Sequence, residues 1–178
     1  MRDLKAVVDT ALASGGGADR IYGMHTLDVR QITAEETYPI RQEILRPGHP
    51  IEDAMFPGDF DESAVHFGAY LDDQLVGIVS IFRAPFPVHP EIPNAWQLRG
   101  MATLPSVRGQ GFGRALLVAC LTRARMEGAS LLWCNARTPA LGFYRKYGLQ
   151  EVGEEFQIED AGPHYRMWIR YEDPRDAV

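Results

Sequence analysis

The chain has 178 residues, of which 46% are hydrophobic and 24% are charged, and it carries a formal net charge of −6 at pH 7. A chain of this length can build one domain with its own core, and the composition is ordinary for a soluble globular protein. The negative net charge argues against general nucleic-acid binding, and no apolar run approaches the roughly 20 residues that a membrane-spanning helix needs.

The two ends of the chain are predicted to be appendages. Apolar residues recur at helical spacing over residues 4–12 and three glycines follow at 15–17, so residues 1–23 are expected to form a short amphipathic helix on a flexible joint. Such a segment could bind a partner or be a frayed tail, and we favour the tail. Residues 172–178 are polar and are expected to fray. The start lacks the apolar stretch of a secretory signal, so a signal peptide is not expected. The domain is expected to span residues 24–171, between the two appendages.

The first half of that domain is predicted to be a strand, a helix and a hairpin. Residues 24–32 have the pattern of a strand, and Thr33 with Glu36 has the spacing of a capping box, which predicts the start of a helix. Residues 64–82 contain two apolar runs separated by a short polar turn and predict a β-hairpin. The four prolines within residues 84–95 exclude regular structure, so this segment is expected to be a loop.

The second half is predicted to alternate strands and helices before it ends in a hairpin. Residues 96–103 predict a strand, and residues 114–127 predict a helix that ends at Gly128. Residues 130–134 form a second apolar strand, and residues 150–171 are expected to form two more. This order of elements predicts an α/β fold of the α+β type, with one mixed, mostly antiparallel central sheet flanked by helices.

Three glycines, Gly109, Gly111 and Gly113, stand directly before the helix of residues 114–127. Glycines at such a place let a ligand approach the backbone closely, and the free N–H groups together with the helix dipole form an anion site, most often for phosphate. The run lacks the Lys-Ser/Thr pair of a Walker A loop, and Arg114 occupies the third glycine position of a dinucleotide fingerprint. A turn that only packs helix against strand is the alternative.

Two motifs resemble those of the GCN5-related N-acetyltransferase (GNAT) superfamily. The pattern Arg-x-x-Gly-x-Gly, from Arg108 to Gly113, resembles the pyrophosphate loop of that family. The family also has an Asn at the end of the next strand, followed by Ala-x-x-Phe-Tyr-x-Lys-x-Gly, and the matching residues are Asn135, Ala140, Phe143, Tyr144, Lys146 and Gly148. Leu149 replaces an aromatic residue of the family pattern. The resemblance covers roughly residues 24–171 as a fold and 96–149 as motifs.

The resemblance implies a single GNAT-fold domain that uses acetyl-CoA as co-substrate and needs no metal. The glycine loop would bind the pyrophosphate, and the strand before it would pair with the pantetheine arm and supply the N–H that stabilises the oxyanion. The implied cofactor-binding residues are Met101, Ala102, Thr103, Arg108, Gly109, Gln110, Gly111, Phe112, Gly113, Arg114 and Asn135. Residues 99–146 carry eight basic residues and one acidic residue, which suits a polyanionic cofactor such as CoA.

Tyr144 lies where the family places a hydroxyl near the departing sulfur, and a tyrosine with a reference pKa of ~10 can donate a proton at neutral pH. A core aromatic residue with a hydrogen-bonded hydroxyl is the alternative. The motif does not supply the general base, because the central strand has no carboxylate at the place where many family members carry a Glu. Glu91, His66 and His164 are candidates. Of these we select His164, since its reference pKa of ~6.5 suits a base and the start of the last strand lies near the acceptor in this family. A surface or turn histidine is the alternative.

By the same analogy, the segment between the first two strands lies beside the acceptor substrate. Its candidate substrate contacts are Arg41, Arg46, Glu52 and Asp53, and an ordinary surface position is the alternative for each. An acidic loop there would favour an amine-bearing substrate, whereas an arginine pair would favour a carboxylate. The sequence offers both and leaves the choice open.

We therefore expect direct transfer of an acetyl group to an amine of a small molecule or of a protein. A non-catalytic acyl-CoA-binding sensor or assembly module on the same fold is an alternative of a different class. Cys120 and Cys134 lie in apolar runs, so buried free thiols in a reducing cytoplasm are expected. A homodimer is expected only by analogy with the superfamily. Neither a membrane nor a nucleic acid is expected as a partner.

Overall fold

The computed structural model describes residues 20–22 and 25–171 and contains one eight-stranded sheet. In chain order the strands are β1 Arg20–Tyr22, β2 His25–Ile32, β3 Val65–Leu71, β4 Gln74–Arg83, β5 Ala95–Thr103, β6 Leu131–Arg137, β7 Gln150–Ile158 and β8 Gly162–Arg170. Their spatial order is β1-β2-β3-β4-β5-β6-β8-β7. The β5–β6 pair is parallel and the other neighbouring pairs are antiparallel, so the predicted mixed, mostly antiparallel sheet is confirmed.

In the described part of the chain, three α-helices flank this sheet. They are α1 Ala34–Ile40, which continues as a π-helical turn over Arg41–Leu45, then α2 Phe112–Met126 and α3 Leu141–Lys146. The predicted capping box begins α1: the Glu36 amide donates to Thr33 Oγ1 at 3.3 Å, and the Thr33 amide donates to Glu36 Oε2 at 2.8 Å. Gly128, with φ +71°, ends α2 where the sequence predicted a stop.

The helices cover opposite faces of the sheet. Leu116 of α2 is fully buried in the main core cluster together with Val79 of β4 and Cys134 of β6, and α3 packs against the same cluster. On the other face, Ile40 of α1 packs against Ile78 of β4. Because successive strand residues point to opposite faces, the sheet separates an α2/α3 side from an α1 side.

A gap opens between the two parallel strands. β5 pairs with β6 from Ala95 to Leu98, opposite Leu131 to Cys134, and the pairing stops there although both strands continue. A β-bulge lies just beyond this point, where the register between β4 and β5 shifts and Gly100 adopts φ +60°. The bulge bends β5 away from its parallel neighbour, as an extra residue in one strand does.

The sheet starts before the predicted domain boundary. Residues 1–23 were predicted as an appendage, but β1 pairs antiparallel with β2, so Arg20–Tyr22 belong to the sheet. The predicted helix of residues 4–12, the glycine joint of 15–17 and the tail of 172–178 lie outside the described residues. No helix in the described part of the chain is long and apolar enough to cross a membrane.

Candidate active site

The glycine loop presents a row of unpaired amides at the start of α2. Gly109 and Gly111 have φ of +79° and +97°, and a side chain carbon added at either would meet no atom within 4 Å, so the space in front of the loop is open. Five main-chain amides of this loop and of the first turn of α2 have no hydrogen-bond acceptor among the described residues. They are those of Gly109, Gly111, Phe112, Gly113 and Arg114. Together with the helix dipole, this arrangement is an anion site.

The side chains of the loop divide into an anchor and a basic surface. Phe112 is 3% exposed and packs into the main core cluster, which fixes the first turn of α2 to the sheet. Gln110 Nε2 donates to the Ser106 carbonyl at 2.8 Å and closes the loop on itself. Arg108 and Arg114 are exposed, and neither forms an ion pair with a carboxylate of the described residues. The loop therefore offers cationic side chains beside free amides.

The far end of β5 directs main-chain groups into the gap. The Leu104 amide donates to the Val76 carbonyl at 2.8 Å, on the β4 side. Because successive amides of a strand point to opposite edges, the Ala102 amide also faces β4, whereas those of Met101 and Thr103 face the gap. Of the three predicted strand residues, these two are therefore placed to contact a ligand in the gap.

The Tyr144 hydroxyl lies at the same gap. Tyr144, on α3, is 7% exposed, and its hydroxyl donates to the sulfur of Met101 at 3.6 Å. Burial raises the pKa of this phenol well above its usual value of 10. The group therefore stays protonated over the physiological range and can act as a hydrogen-bond and proton donor.

Asn135 occupies the first position of β6 beyond its pairing with β5. Its Oδ1 atom is buried and has no hydrogen-bond partner among the described residues. A buried acceptor without a donor is costly, so this oxygen is suited to an N–H group of a ligand. Asn135 stands directly opposite Arg166 of β8, which places both side chains on one face of the sheet.

The imidazole of His164, at the start of β8, is buried and accounts for one hydrogen bond. The side chain is 5% exposed and stands directly opposite Arg137 of β6. Its Nδ1 lies 2.8 Å from the Gly162 carbonyl, which can only accept, so the proton is on Nδ1 and the lone pair is on Nε2. Burial, and then Arg137 and Arg46, lower the pKa of His164, so the ring is neutral at pH 7.

The other two candidate bases are placed differently. His66 is buried, and both ring nitrogens are engaged, Nδ1 with Ser80 Oγ at 2.6 Å and Nε2 with the Asp59 carbonyl at 2.9 Å. Glu91 is 70% exposed in the proline-rich loop and contacts His89. Neither has the free lone pair in a buried site that His164 offers.

A buried ionic network underlies the α1 side of the gap, and sequence reasoning did not identify it. Asp59 is held by the guanidinium groups of Arg41, at 2.6 and 3.1 Å, and of Arg99, at 3.0 Å. Arg41 also donates to Ser80 Oγ at 2.8 Å, and this hydroxyl links the network to His66. Burial opposes ionisation of Asp59 most strongly, but its contacts with Arg41 and Arg99 and with the Phe56 amide outweigh it and lower its pKa.

The network corrects one sequence expectation. Arg41 was a candidate substrate contact, but its side chain is fully buried and bound to Asp59, so that prediction is wrong. A signal was present: Arg41 follows Thr37 by four residues and precedes Ile44 by three, which places it on the buried face of the helix. The expectation of buried free thiols is confirmed for Cys120 and Cys134, and burial raises the pKa of Cys134 to about 12.

No group of three or more His, Cys, Asp or Glu residues in the described part of the chain could hold a metal ion. The groups around the gap are main-chain amides, a protonated phenol, an amide side chain, a neutral imidazole and several arginines. Such a set can bind a phosphate-bearing ligand, stabilise a developing negative charge, and move protons at neutral pH.

Comparisons with known proteins identify the family of this chain. The model of the Acetyltransferase (GNAT) family matches residues 26–149. A Bacillus subtilis protein named as the uncharacterized N-acetyltransferase YitI is 38% identical over 142 residues, which is 80% of this chain and 95% of that protein. The family match includes the loop, the gap, Asn135 and Tyr144.

Solved structures show the same fold at lower identity. Ard1 from Thermoplasma volcanium superposes with a TM-score of 0.64 at 19% identity, covering 83% of this chain and 99% of that one. The IAA acetyltransferase from Bacillus cereus superposes with a TM-score of 0.61 at 15% identity, covering 82% and 100%. At such identities the likeness shows the fold alone. The family match and the curated relative go further, and this chain belongs to the acetyltransferase (GNAT) family and is an N-acetyltransferase.

Proposed function

We propose that the protein transfers an acetyl group from acetyl-CoA directly to a primary amine, with the gap between β5 and β6 as the place of reaction. The observation that supports this most directly is the row of five unpaired amides, which opens onto free space at the start of α2. This anion site and the Tyr144 hydroxyl are joined through Met101 and Gly113, since a carbon added at Gly113 would lie 3.6 Å from the Met101 side chain.

The residues around the gap fit CoA at both of its polar parts. The loop amides, with Arg108 and Arg114 beside them, would hold the pyrophosphate oxygens. The unpaired Asn135 Oδ1 would accept an N–H of the pantetheine arm, which carries two amide groups. Acetyl-CoA supplies an activated thioester, whose carbonyl would then lie near the β5 bulge.

The protein groups would act on the charges and protons of the transfer. One C–N bond forms and one C–S bond breaks, and the acetyl oxygen becomes negatively charged on the way. A gap-facing amide of Met101 or Thr103 would donate to that oxygen, and Tyr144 would give its proton to the leaving sulfur. The hydroxyl would then be reprotonated from solvent.

His164 would take the proton that the amine must lose. Its lone pair on Nε2 and its lowered pKa make it a neutral acceptor at pH 7. The proton would pass from His164 to solvent, which restores the neutral ring for the next cycle. In this role His164 replaces the strand carboxylate that the family pattern leads one to expect and that β5 lacks.

A thiol-release assay with acetyl-CoA and a broad panel of amines tests this proposal, with mass spectrometry of the acetylated product. We expect thiol release that depends on the amine. Tight CoA binding without thiol release from any amine would instead support the non-catalytic acyl-CoA-binding alternative. Failure to bind CoA at millimolar concentration would exclude both.

A further inference from the structure

Two arginines are held side by side on the α1 side of the gap by a single main-chain oxygen. Arg137 Nη2, at the end of β6, donates to the Leu45 carbonyl at 3.1 Å. Arg46 Nη1, from the turn after α1, donates to the same carbonyl at 3.4 Å. A carbonyl orients two guanidinium groups but does not neutralise them, so each keeps its charge and several free N–H donors.

A third arginine extends this group. Arg166 of β8 stands opposite Asn135, two residues before Arg137 on the same face of β6, and its guanidinium lies 5.3 Å from the Phe156 ring. Its Nε is buried and has no hydrogen-bond partner in the described part of the chain. Arg46, Arg137 and Arg166 together are called the basic cluster below.

The basic cluster lacks carboxylate partners. None of its three members has a carboxylate oxygen within 4.0 Å among the described residues. Three acids of the neighbouring segments have partners of their own. Asp59 is shared by two other arginines, Asp53 pairs with His49 at 3.0 Å, and Glu155 accepts from Thr138 Oγ1 at 2.8 Å.

The position of the cluster places it on the acceptor side of the gap, away from the loop that would hold the phosphates of CoA. Cys134 and Ala136 of β6 point into the core beneath α2 and α3, so Asn135 and Arg137 point to the opposite face. The phosphate loop lies at the start of α2, on the first of these faces. Direct transfer requires donor and acceptor to meet in the gap, so a donor that enters from the α2 side meets an acceptor on the side of the cluster.

We propose that the acceptor is a primary amine that also carries a carboxylate, and that Arg46 and Arg137 bind this carboxylate, with Arg166 adding charge and positioning. This inference rests on the proposed function and specifies its substrate class. A guanidinium matches the geometry of a carboxylate and binds it through two parallel hydrogen bonds. The cluster repels polyamines and other cationic acceptors for the same reason.

Matched pairs of acceptors test the proposal. Each amino acid is compared with its own carboxamide, so that size is kept and one charge is removed; spermidine serves as the cationic probe. A peptide with an N-terminal glutamate and no other free amine separates a peptide acceptor from a free amino acid. We expect kcat/KM for the carboxylate member to exceed that of the amide by about ten-fold or more, the effect of one lost charge-assisted contact.

Substitutions in the basic cluster test which arginines cause the preference for the carboxylate. Arg137→Met and Arg46→Met are each expected to bring the carboxylate-to-amide ratio towards one, and Arg137→Lys is expected to restore part of it. Arg170→Met is the matched control, because Arg170 is exposed and lies at the other end of the β6–β8 pair, opposite Leu131. Glutarate, which has no amine, is expected to compete with the acceptor and not with acetyl-CoA.

The outcomes distinguish failure of the carboxylate inference from failure of the proposed function. Thiol release with a preference for amides or spermidine would overturn this inference and leave the proposed function intact. A carboxylate preference that survives both Arg137→Met and Arg46→Met, in variants that keep the parent melting temperature, would also overturn it. Absence of thiol release with every amine would remove the proposed function, and the inference with it.

Discussion

The hydroxyl of Tyr144 donates to the sulfur of Met101 at 3.6 Å and so joins α3 to the bulged end of β5. A thioether is a weak acceptor, and a ligand atom of higher charge could replace it without loss. Burial keeps the hydroxyl protonated, because it raises the pKa of Tyr144 well above 10. The phenol is therefore a proton donor held at the gap by a contact that is easily exchanged.

We expect Tyr144→Phe to lower kcat on the order of ten- to a thousand-fold, the usual range for losing an acid–base group. CoA affinity should remain close to that of the parent, since the ring still fills the core. Tyr147→Phe is a suitable control, because Tyr147 ends the same helical segment and packs on the same Phe143 ring. Steady-state kinetics and calorimetry give the two quantities. Equal kcat in the parent and Tyr144→Phe would assign Tyr144 a structural role only.

Gly111→Asp is expected to abolish CoA binding, because it adds a negative charge and a side chain in front of the free amides. Gly111→Ala separates the backbone strain at φ +97° from the charge and should weaken binding less. Gly153→Asp is the matched control, since Gly153 also has a positive φ, +76°, and equally open space, but lies in β7. Calorimetric titration with CoA measures all three. Undiminished affinity in Gly111→Asp would contradict the assignment of the loop.

Asp59→Asn should destabilise the protein by about 3–5 kcal/mol, because it leaves two guanidinium groups without their shared counter-charge. Urea denaturation at pH 7 measures the loss, and Asp53→Asn, which breaks an exposed pair with His49, should cost far less. A small effect at Asp59 would show that solvent reaches the network.

The parent and Asp59→Asn are also expected to differ in how their stability depends on acidic pH. The folded-state pKa of Asp59 lies below its usual value near 3.8. Its stabilisation is therefore fully present above that value and is lost as the pH falls through the lower, folded-state pKa. The difference in unfolding free energy between the parent and Asp59→Asn should shrink over that acidic range. A difference that stays constant down to the lowest pH at which the protein folds would contradict the assignment.

The pH dependence of the reaction tests His164. A base must be neutral to act, so kcat/KM should fall on the acid side as His164 becomes protonated. Arg137 helps to lower the pKa of His164, and Arg137→Met should therefore move this acid limb to higher pH. Arg170→Met should leave the limb in place. His164→Gln should remove it and lower the rate; an unchanged limb in that variant would assign the ionisation to another group.

The sequence predicted the glycine loop, the capping box of α1 and the hairpin of β3 and β4 because each depends on neighbours in the chain. A positive φ at Gly109 and Gly111 is a local backbone property, and so is the pairing of Thr33 with Glu36. The sequence did not reveal β1. This strand has three residues, is too short to carry a periodic pattern, and is held only by pairing with β2.

The candidate site divides along the same line. The side proposed to bind CoA lies within one continuous stretch, residues 96–149, in which motif and spacing were informative. The sequence did not show which charge its acceptor side presents to a substrate, because both acids and arginines occur in the segment after α1. The structure separates them. Asp59 forms ion pairs with Arg41 and Arg99, whereas Arg46 has no carboxylate partner among the described residues.

What the sequence by itself determined is the order of the elements and the loop at the start of α2, which follow from local conformation and hydrophobic periodicity, and the family, which follows from the resemblance of its motifs. Only the tertiary structure decided which charges are left to meet a substrate. Arg137 and Leu45 are 92 positions apart, and Arg41 and Asp59 are 18 apart. A charge is neutralised by whatever lies within a few ångströms in space, and no local pattern in the chain encodes that distance.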